Sequence, residues 1–163
     1  DSGYPNMKVL QFAFDKEDVG GSNDYLPHNY NQNCVVYTGT HDNETISGWF
    51  LGLSKEDKAF VRDYMGDHDT ANKWMYKQLV AAAMRSTANT CVIPVQDWLG
   101  LDNDSRMNVP GTVNVNWSWR LLPGQITDEL AEEMLIITKR FGRANWDALN
   151  RMEKAKRLEE TAK

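Results

Sequence analysis

The sequence predicts an α/β fold built on a parallel sheet, and three observations carry that reading. Three short apolar, β-rich segments recur, each bounded by turn residues and each running into polar side chains of a catalytic kind. Helical periodicity with capping residues fills stretches between and after them. The composition of the 163 residues, 41% hydrophobic and 25% charged with only 11 Gly and 5 Pro, supplies a core and excludes disordered, collagen-like and low-complexity chains.

The first segment is Met7-Lys8-Val9-Leu10-Gln11-Phe12-Ala13-Phe14, which runs into Asp15. The second is Cys34-Val35-Val36-Tyr37-Thr38-Gly39, which runs into Thr40-His41-Asp42-Asn43. The third is Cys91-Val92-Ile93-Pro94-Val95, which runs into Gln96-Asp97. Such runs suit strands buried on both faces, as in a parallel sheet. Ser54 is placed to cap a helix through Phe60, Val61, Tyr64 and Met65, with Gly66 as its stop. Asp69 or Thr70 is placed to cap a second, whose Ala71, Trp74, Met75, Leu79, Ala82 and Ala83 share one face. Thr127, followed by Asp128 and Glu129, opens a third with the stripe Leu130, Met134, Ile137 and Phe141. Lys139 and Arg140 sit in its last turn and Gly142 follows. Residues 145–163 alternate charges, with Glu153 placed to meet Arg157, and read as a solvated helix or an added extension.

The expected order is βαβαβα, with irregular stretches at residues 15–33 and 97–126. Long loops in compact α/β proteins are more often functional than idle. Three βα units are too few to close a parallel barrel, which needs eight and about 250 residues. The chain also begins at Asp1 without an initiator Met. The expectation is a C-terminal piece of a larger protein.

Charge and motif content exclude several functions. The 18 basic and 23 acidic side chains leave a net charge of -5 with no basic block, the opposite of a phosphate-tracking nucleic-acid binder. No apolar run approaches the roughly 18 residues of a membrane span, and no signal-peptide pattern opens the chain. Cys34 and Cys91 are far apart without CxxC spacing, which suggests a reducing compartment and gives no metal or disulfide signature. His28, His41, Asp42 and His68 lack any metal-binding spacing, so no metal site is expected. A GxSxG nucleophile elbow is also missing. The acceptor tripeptides at Asn43, Asn103 and Asn116 are of a kind that arises by chance.

The sharpest constellation is Tyr37-Thr38-Gly39-Thr40-His41-Asp42-Asn43-Glu44-Thr45. Gly39 lets the backbone turn at a strand end, and the polar residues then stand at the C-terminal mouth, where parallel α/β folds collect active-site groups. The rival reading is a Thr/Asp helix cap beside a satisfied His. A second cluster runs from Gln96-Asp97-Trp98 through Arg106-Met107-Asn108 to Trp117, Trp119 and Arg120. Amides and charges interleaved with indoles suit sugars, whose hydroxyls need paired partners and whose ring faces lie on aromatic planes. Here the rival is that these Trp residues only pack.

Taken together, Met7-Lys8-Val9-Leu10-Gln11-Phe12, Leu26-Pro27-His28-Asn29-Tyr30, the run from Val35 through Asn43, Gln96-Asp97, Arg106-Met107-Asn108, Pro110-Gly111-Thr112, Asn116-Trp117 and Trp119-Arg120 resemble the C-terminal portion of amylomaltases. These are the disproportionating enzymes, or 4-alpha-glucanotransferases, of the alpha-amylase-like clan. The resemblance extends over about residues 2–141. It implies a (β/α)8 TIM barrel of which this chain supplies approximately the last three βα units in residues 1–144, with 145–163 as a helical tail. It also implies retaining transfer of alpha-1,4-glucan segments to glucan or glucose. That chemistry uses a carboxylate nucleophile and a second carboxyl as acid/base about 5–5.5 Å apart. By the resemblance both lie upstream of this chain.

The family's third carboxylate matches Asp42, whose implied role is catalytic: it grips hydroxyls of the ring at the cleavage subsite more tightly as that ring flattens. His41 matches a neighbouring histidine that contacts the same ring as a neutral donor, and Asn108 matches a loop position near the sugar cleft. Asn43 binds glucan or orients the loop. Glu44 stands where relatives often carry aspartate, which leaves any role there open. The resemblance implies no metal or organic cofactor, a malto-oligosaccharide or glucan substrate, and a cytoplasmic compartment, or a plastid in a plant. It also implies that the missing N-terminal barrel strands, or self-association, cover the exposed sheet edges. The chain alone is expected to be inactive. Two rivals stay open: an inert glucan-binding or structural piece, and an alpha-amylase-type hydrolase, because transfer and hydrolysis share the covalent step.

Overall fold

Side chains alternate along a strand, so Cys34 and Val36 of strand β2 (Cys34–Tyr37) share one face of the sheet and Val35 and Tyr37 the other. In the computed structural model, which describes residues 3–14, 23–113 and 115–161, β2 is the middle of three strands. It pairs in parallel with β1 (Asn6–Val9) on one side and β3 (Thr90–Val92) on the other. The register sets Lys8 and Cys91 opposite Val36, and Val9 and Val92 opposite Tyr37. Cys91 therefore lies two positions along from Cys34 on the same face.

Helices α1 (Ile46–Gly52), α2 (Lys55–Met65) and α3 (Met75–Arg85) connect β2 to β3, and the short α4 (Val95–Trp98) follows β3. α1 and α2 each pack on α3, as does α4. Leu10, Val36, Ile46, Phe50, Val61, Met75 and Leu79 are fully buried in one cluster, and each such side chain contributes about 1.5–3 kcal/mol. The opposite face of the sheet is thinly covered. Met7 is 60% exposed and Val92 41%, although Val9 is buried. Burial on both faces, expected of all three strands, is approached only in β2.

The strands are shorter than the sequence suggested. β1 stops at Val9, and Leu10–Phe14 wind into a 3-10 helix. That turn carries Phe14 in among the rings of Trp49, Phe60 and Tyr64, at 5.8, 6.1 and 5.5 Å. β3 stops at Val92 because Pro94 has no N–H for the ladder, and Val95 already begins α4. The expected βαβαβα order is corrected as well. Among the described residues no α-helix separates β1 from β2, whereas three separate β2 from β3. Residues 15–22, which begin with Asp15 and form the first part of the irregular stretch 15–33, lie outside the described residues.

Side-chain caps set the starts of α1 and α2. Ser54 Oγ accepts from Asp57 N at 3.1 Å, and Gly66 ends α2 at φ +65°. Thr45 Oγ1 accepts from Gly48 N at 3.1 Å and starts α1, a helix hidden from periodicity by its seven residues and two glycines. α3 begins at Met75 rather than near Thr70, because Thr70 is engaged elsewhere. Asp67 Oδ1 accepts from Thr70 N at 2.9 Å, and Arg62 Nη2 donates to the Thr70 carbonyl. A 3-10 turn at Asn72–Trp74 makes the connection.

The chain falls into two compact units, Asp1–Gln125 and Ile126–Lys163. The second holds α5 (Asp128–Arg140) and α6 (Trp146–Thr161). Thr127 Oγ1 caps α5 through Leu130 N at 3.2 Å, and the stripe of Leu130, Met134 and Ile137 is its half-buried side. α6 has no buried residue, as a solvated helix requires. No helix among the described residues is long and apolar enough to cross a membrane.

Candidate functional site

β2 ends at Tyr37, and residues 38–45 loop out before α1 begins at Ile46. Both ends of this loop meet at one carboxylate. Thr38 Oγ1 donates to Asp97 Oδ2, and Ile46 N donates to Asp97 Oδ1 at 2.8 Å. Asp97 is contributed by α4 and is 1% exposed. Burial pushes its carboxyl up to about 6, against the two donated hydrogen bonds, which pull it down.

Within the loop, Asn43 Oδ1 accepts from Thr40 N at 2.9 Å and from Thr40 Oγ1 at 2.7 Å, and Asn43 N returns a bond to the Thr40 carbonyl at 3.2 Å. Gln11 Nε2 reaches across from the 3-10 helix to donate to the Glu44 carbonyl at 2.8 Å. A Cβ on Gly39 would stand 2.6 Å from that Gln11 nitrogen. Gly39 is required for this clearance and not for a left-handed turn, since it is not among the residues of positive φ. Asn103 closes the far side. Its Nδ2 donates to Glu44 Oε1 at 2.6 Å and its Oδ1 accepts from Thr45 N at 3.3 Å. A Cβ on Gly48 would run into the Asn103 amide, so a glycine in α1 makes room for it.

Between these ties stand His41 and Asp42, with side chains 54% and 50% exposed and His41 Nε2 3.3 Å from Asp42 Oδ1. The stretch after α4 reaches them from the other side. Asn108 Nδ2 donates to Asp42 Oδ1 at 2.6 Å, and its backbone N–H donates to the His41 carbonyl at 3.1 Å. Arg106 Nη2 donates to the Asp42 carbonyl at 3.0 Å. The Trp117 ring lies 5.1 Å from the His41 ring at 40°. Trp117 holds φ +64°, a left-handed conformation that costs an L-residue about 1–2 kcal/mol, and its N–H donates to the Met107 carbonyl at 2.6 Å.

The structure thus brings His41, Asp42 and Asn108 into contact across 66 residues of sequence. Asn43 lies beside them with its side-chain oxygen committed to Thr40. A cavity of about 140 Å³ lies between the loop and residues 94–107, lined by Gly39, His41, Glu44, Gln96, Asp97 and Arg106 among others. Asp42 and Asn108 do not line it. Chemically, the arrangement offers a carboxylate backed by an amide and an imidazole, with an exposed indole alongside.

Sequence reasoning missed Asn103 and the strained backbone of Trp117, and it set Asp97 in a sugar-suited cluster, whereas the structure buries Asp97 at 1% exposure. Asp97 had a signal: an acidic residue just after an apolar strand and a proline, at the mouth where catalytic loops gather. Asn103 had none beyond its tripeptide, which does not foretell contact with Glu44.

The sequence profile of the 4-alpha-glucanotransferase family matches residues 1–126. The 4-alpha-glucanotransferase of Synechocystis sp. is 45% identical over 141 residues, covering 86% of this chain and 27% of that protein. The Solanum tuberosum protein named 4-alpha-glucanotransferase, chloroplastic/amyloplastic, is 44% identical over 142 residues, covering 85% of this chain and 24% of its own length. Among solved structures, the amylomaltase from Streptococcus agalactiae in complex with acarbose superposes with a TM-score of 0.81 at 36% identity, over 88% of this chain and 28% of that one. This chain thus spans about a quarter of the length of these relatives. The fold, the sequence match along most of the chain and the likeness to a solved amylomaltase agree, and the chain belongs to the 4-alpha-glucanotransferase family.

Proposed function

We propose that this chain supplies about the last three βα units of the (β/α)8 barrel of a retaining 4-alpha-glucanotransferase, with Asp42 as its transition-state-stabilising carboxylate. The observation that carries the reading is the meeting of Asp42, His41 and Asn108 beyond the C-terminal end of a parallel strand, in a chain of this family. The nucleophile and acid/base stand on the upstream part of the protein. Residues 1–144 form the partial barrel and 145–163 a helical tail.

Asn108 and His41 both address Asp42 Oδ1, which leaves Oδ2 without a protein partner among the described residues. That oxygen accepts from hydroxyls of the glucosyl ring. As the ring flattens towards an oxocarbenium ion, its hydroxyls become better donors, so the contact strengthens in the transition state and lowers the barrier. His41 positions the ring by hydrogen bonding, Asn108 holds the carboxylate and faces the sugar, and Asn43 orients the loop through Thr40. The substrate is an alpha-1,4-glucan or malto-oligosaccharide, passed to a glucan or to glucose. The thin cover over Met7 and Val92 supports the second part of the reading: upstream barrel strands, or a second copy, cover that face, and the chain alone is inactive. The compartment is cytoplasmic, or a plastid in a plant.

The test is Asp42→Asn in the complete enzyme. Expression and folding persist, and turnover of maltotriose falls by about 10²–10³-fold or more. Near-wild-type transfer in that variant would remove the assignment. The chain alone releases no glucose from maltotriose, and product chromatography of the complete enzyme shows a ladder of longer maltodextrins rather than uniform shortening.

A further inference from the structure

We propose that Asp97 is a positioning residue for the transfer reaction: by holding Thr38 and Ile46 on its two carboxylate oxygens, it fixes both ends of the loop that presents His41 and Asp42. The inference rests on the role assigned to Asp42 above and extends it to a residue that borders the cavity but is only 1% exposed, with both carboxylate oxygens bonded within the protein. Asp97, Thr38 and Ile46 are 1%, 0% and 0% exposed, so the clamp operates where water does not compete. Its own base is firm, since Asp97 N donates to the Pro94 carbonyl at 3.0 Å and the Asp97 carbonyl accepts from Gly100 N at 3.2 Å.

The other ties act on different parts of the loop. Asn43 bonds Thr40 within it, while Gln11 and Asn103 hold Glu44 and Thr45. Among the described residues, Asp97 alone accepts bonds from both the exit of β2 and the entry of α1, with His41 and Asp42 between them. A buried carboxylate is costly unless its lone pairs are satisfied, and here burial alone raises its affinity for a proton. A neutral apolar residue would fill this volume at lower cost but would leave Thr38 Oγ1 and Ile46 N without the oxygens they bond here. Catalytic groups need placement to within about 0.5 Å, which loosely held loop ends do not provide.

The test compares Asp97→Ala, Asp97→Asn and Thr38→Val in the complete enzyme, with Asp42→Asn as control, each normalised to folded protein by near-UV circular dichroism. Asp97→Ala lowers kcat by about 100-fold while KM stays nearly constant, because misplacement on the order of an ångström costs that much in the chemical step. Asp97→Asn restores most of the loss. Its Oδ1 still accepts from Ile46 N, and its Nδ2 donates to Thr38 Oγ1, a hydroxyl that can accept as well as donate. Thr38→Val falls between them. A folded Asp97→Ala enzyme with wild-type kcat overturns the proposal, and so does an Asp97→Asn enzyme as impaired as the alanine variant. If Asp97→Ala does not fold, Thr38→Val decides: wild-type kcat in that variant overturns the clamp. Unimpaired turnover in Asp42→Asn is a separate failure, that of the functional reading itself.

Discussion

The loop of residues 38–46 and the longer stretch 99–125 both contribute to the surroundings of Asp42, but different physics holds each of them. The short loop hangs from buried atoms: Thr38, Ile46 and Asp97 are all inaccessible, and Gln11 and Asn103 add ties from two further elements. Past Asn108, the long stretch is bonded mainly among its own exposed residues. Thr112 Oγ1 bonds the Val109 carbonyl at 2.6 Å, Asn116 Nδ2 bonds the Thr112 carbonyl at 3.1 Å, and Arg120 Nη1 bonds the Trp117 carbonyl at 2.8 Å. Val113 and Leu122 remain 79% and 63% exposed. Exposed bonds exchange with water and contribute little net free energy, whereas a buried bond left unmade costs about 1–3 kcal/mol. The short loop is therefore fixed by what it would lose on moving. The long one is tied to its surroundings where Asn103 meets Glu44 and Thr45, where Ser105 meets Gln96, and where Arg106, Asn108 and Trp117 meet His41 and Asp42.

The largest expected effect exposes what the buried anchor costs. An ordinary aspartate titrates near ~4 in an unfolded chain. Asp97 in the folded protein titrates at about 6, so between these values the folded state binds more protons. The contribution is fully present below ~4 and is lost as pH rises through about 6, so stability declines over that window. The difference is about 3 kcal/mol, an order-of-magnitude figure for a carboxyl as buried as this one. Urea unfolding from pH 4 to pH 7 measures it, and Asp97→Asn should flatten the decline. An undiminished slope in that variant would break the contrast, because the short loop would then incur no cost at its buried anchor.

Gly48→Ala tests the next tie. Exchanging a helical glycine for alanine ordinarily gains up to about 1 kcal/mol. Here the new methyl meets the Asn103 amide, and overpacking of this kind costs about 1–3 kcal/mol while displacing the bonds to Glu44 and Thr45. The clash outweighs the propensity, and a net loss of about 1–2 kcal/mol is expected by thermal unfolding. In an Asn103→Ala background the same substitution should become neutral or stabilising. Equal effects in both backgrounds would show that Asn103 is not what the glycine accommodates.

How much of this was legible in the sequence follows the same division. Elements signalled locally were readable: Ser54 and Thr127 as caps, Gly66 as a stop, the apolar run of β2, and the stripe of α5. Elements decided by distant packing were not. Leu10–Phe14 reads as strand by composition and becomes a 3-10 helix because Phe14 joins rings from α1 and α2. α1 is too short for periodicity, and its first N–H is satisfied by a carboxylate 51 residues away. At the site, His41 and Asp42 stood out as polar residues just after an apolar run, whereas Asn108 was singled out only through the family resemblance. Asp97 was read into the sugar-suited cluster because a buried clamp and a strand-end sugar-binding acid look alike in one dimension.

Asn108→Ala probes the junction of the two regions. The bond from its Nδ2 to Asp42 Oδ1 is charge-assisted, and at this exposed position it contributes roughly 1–1.5 kcal/mol, at the lower end for such bonds. Turnover in the complete enzyme should fall by about tenfold with stability almost unchanged. Loss of stability instead, with turnover intact, would mean that the contact anchors the long stretch rather than the carboxylate.

The smallest effect is expected at Trp117, where the long stretch is strained. Its left-handed backbone costs an L-residue about 1–2 kcal/mol, and glycine adopts it freely. Trp117→Gly should therefore raise stability, but by less than about 1 kcal/mol, because it also removes the ring from His41 and adds freedom to the unfolded chain. Trp117→Phe keeps both the strain and an aromatic face, and should leave stability near that of the parent. The sharper readout is the ratio of the two variants in activity. If the indole holds the imidazole in place, the glycine variant is the more stable and the less active of the pair. If the strained turn serves only to pass Trp117 N–H to the Met107 carbonyl, the glycine variant is more stable and as active as the phenylalanine one. Strain of this kind persists where a neighbouring contact requires it, and His41 is the neighbour within reach.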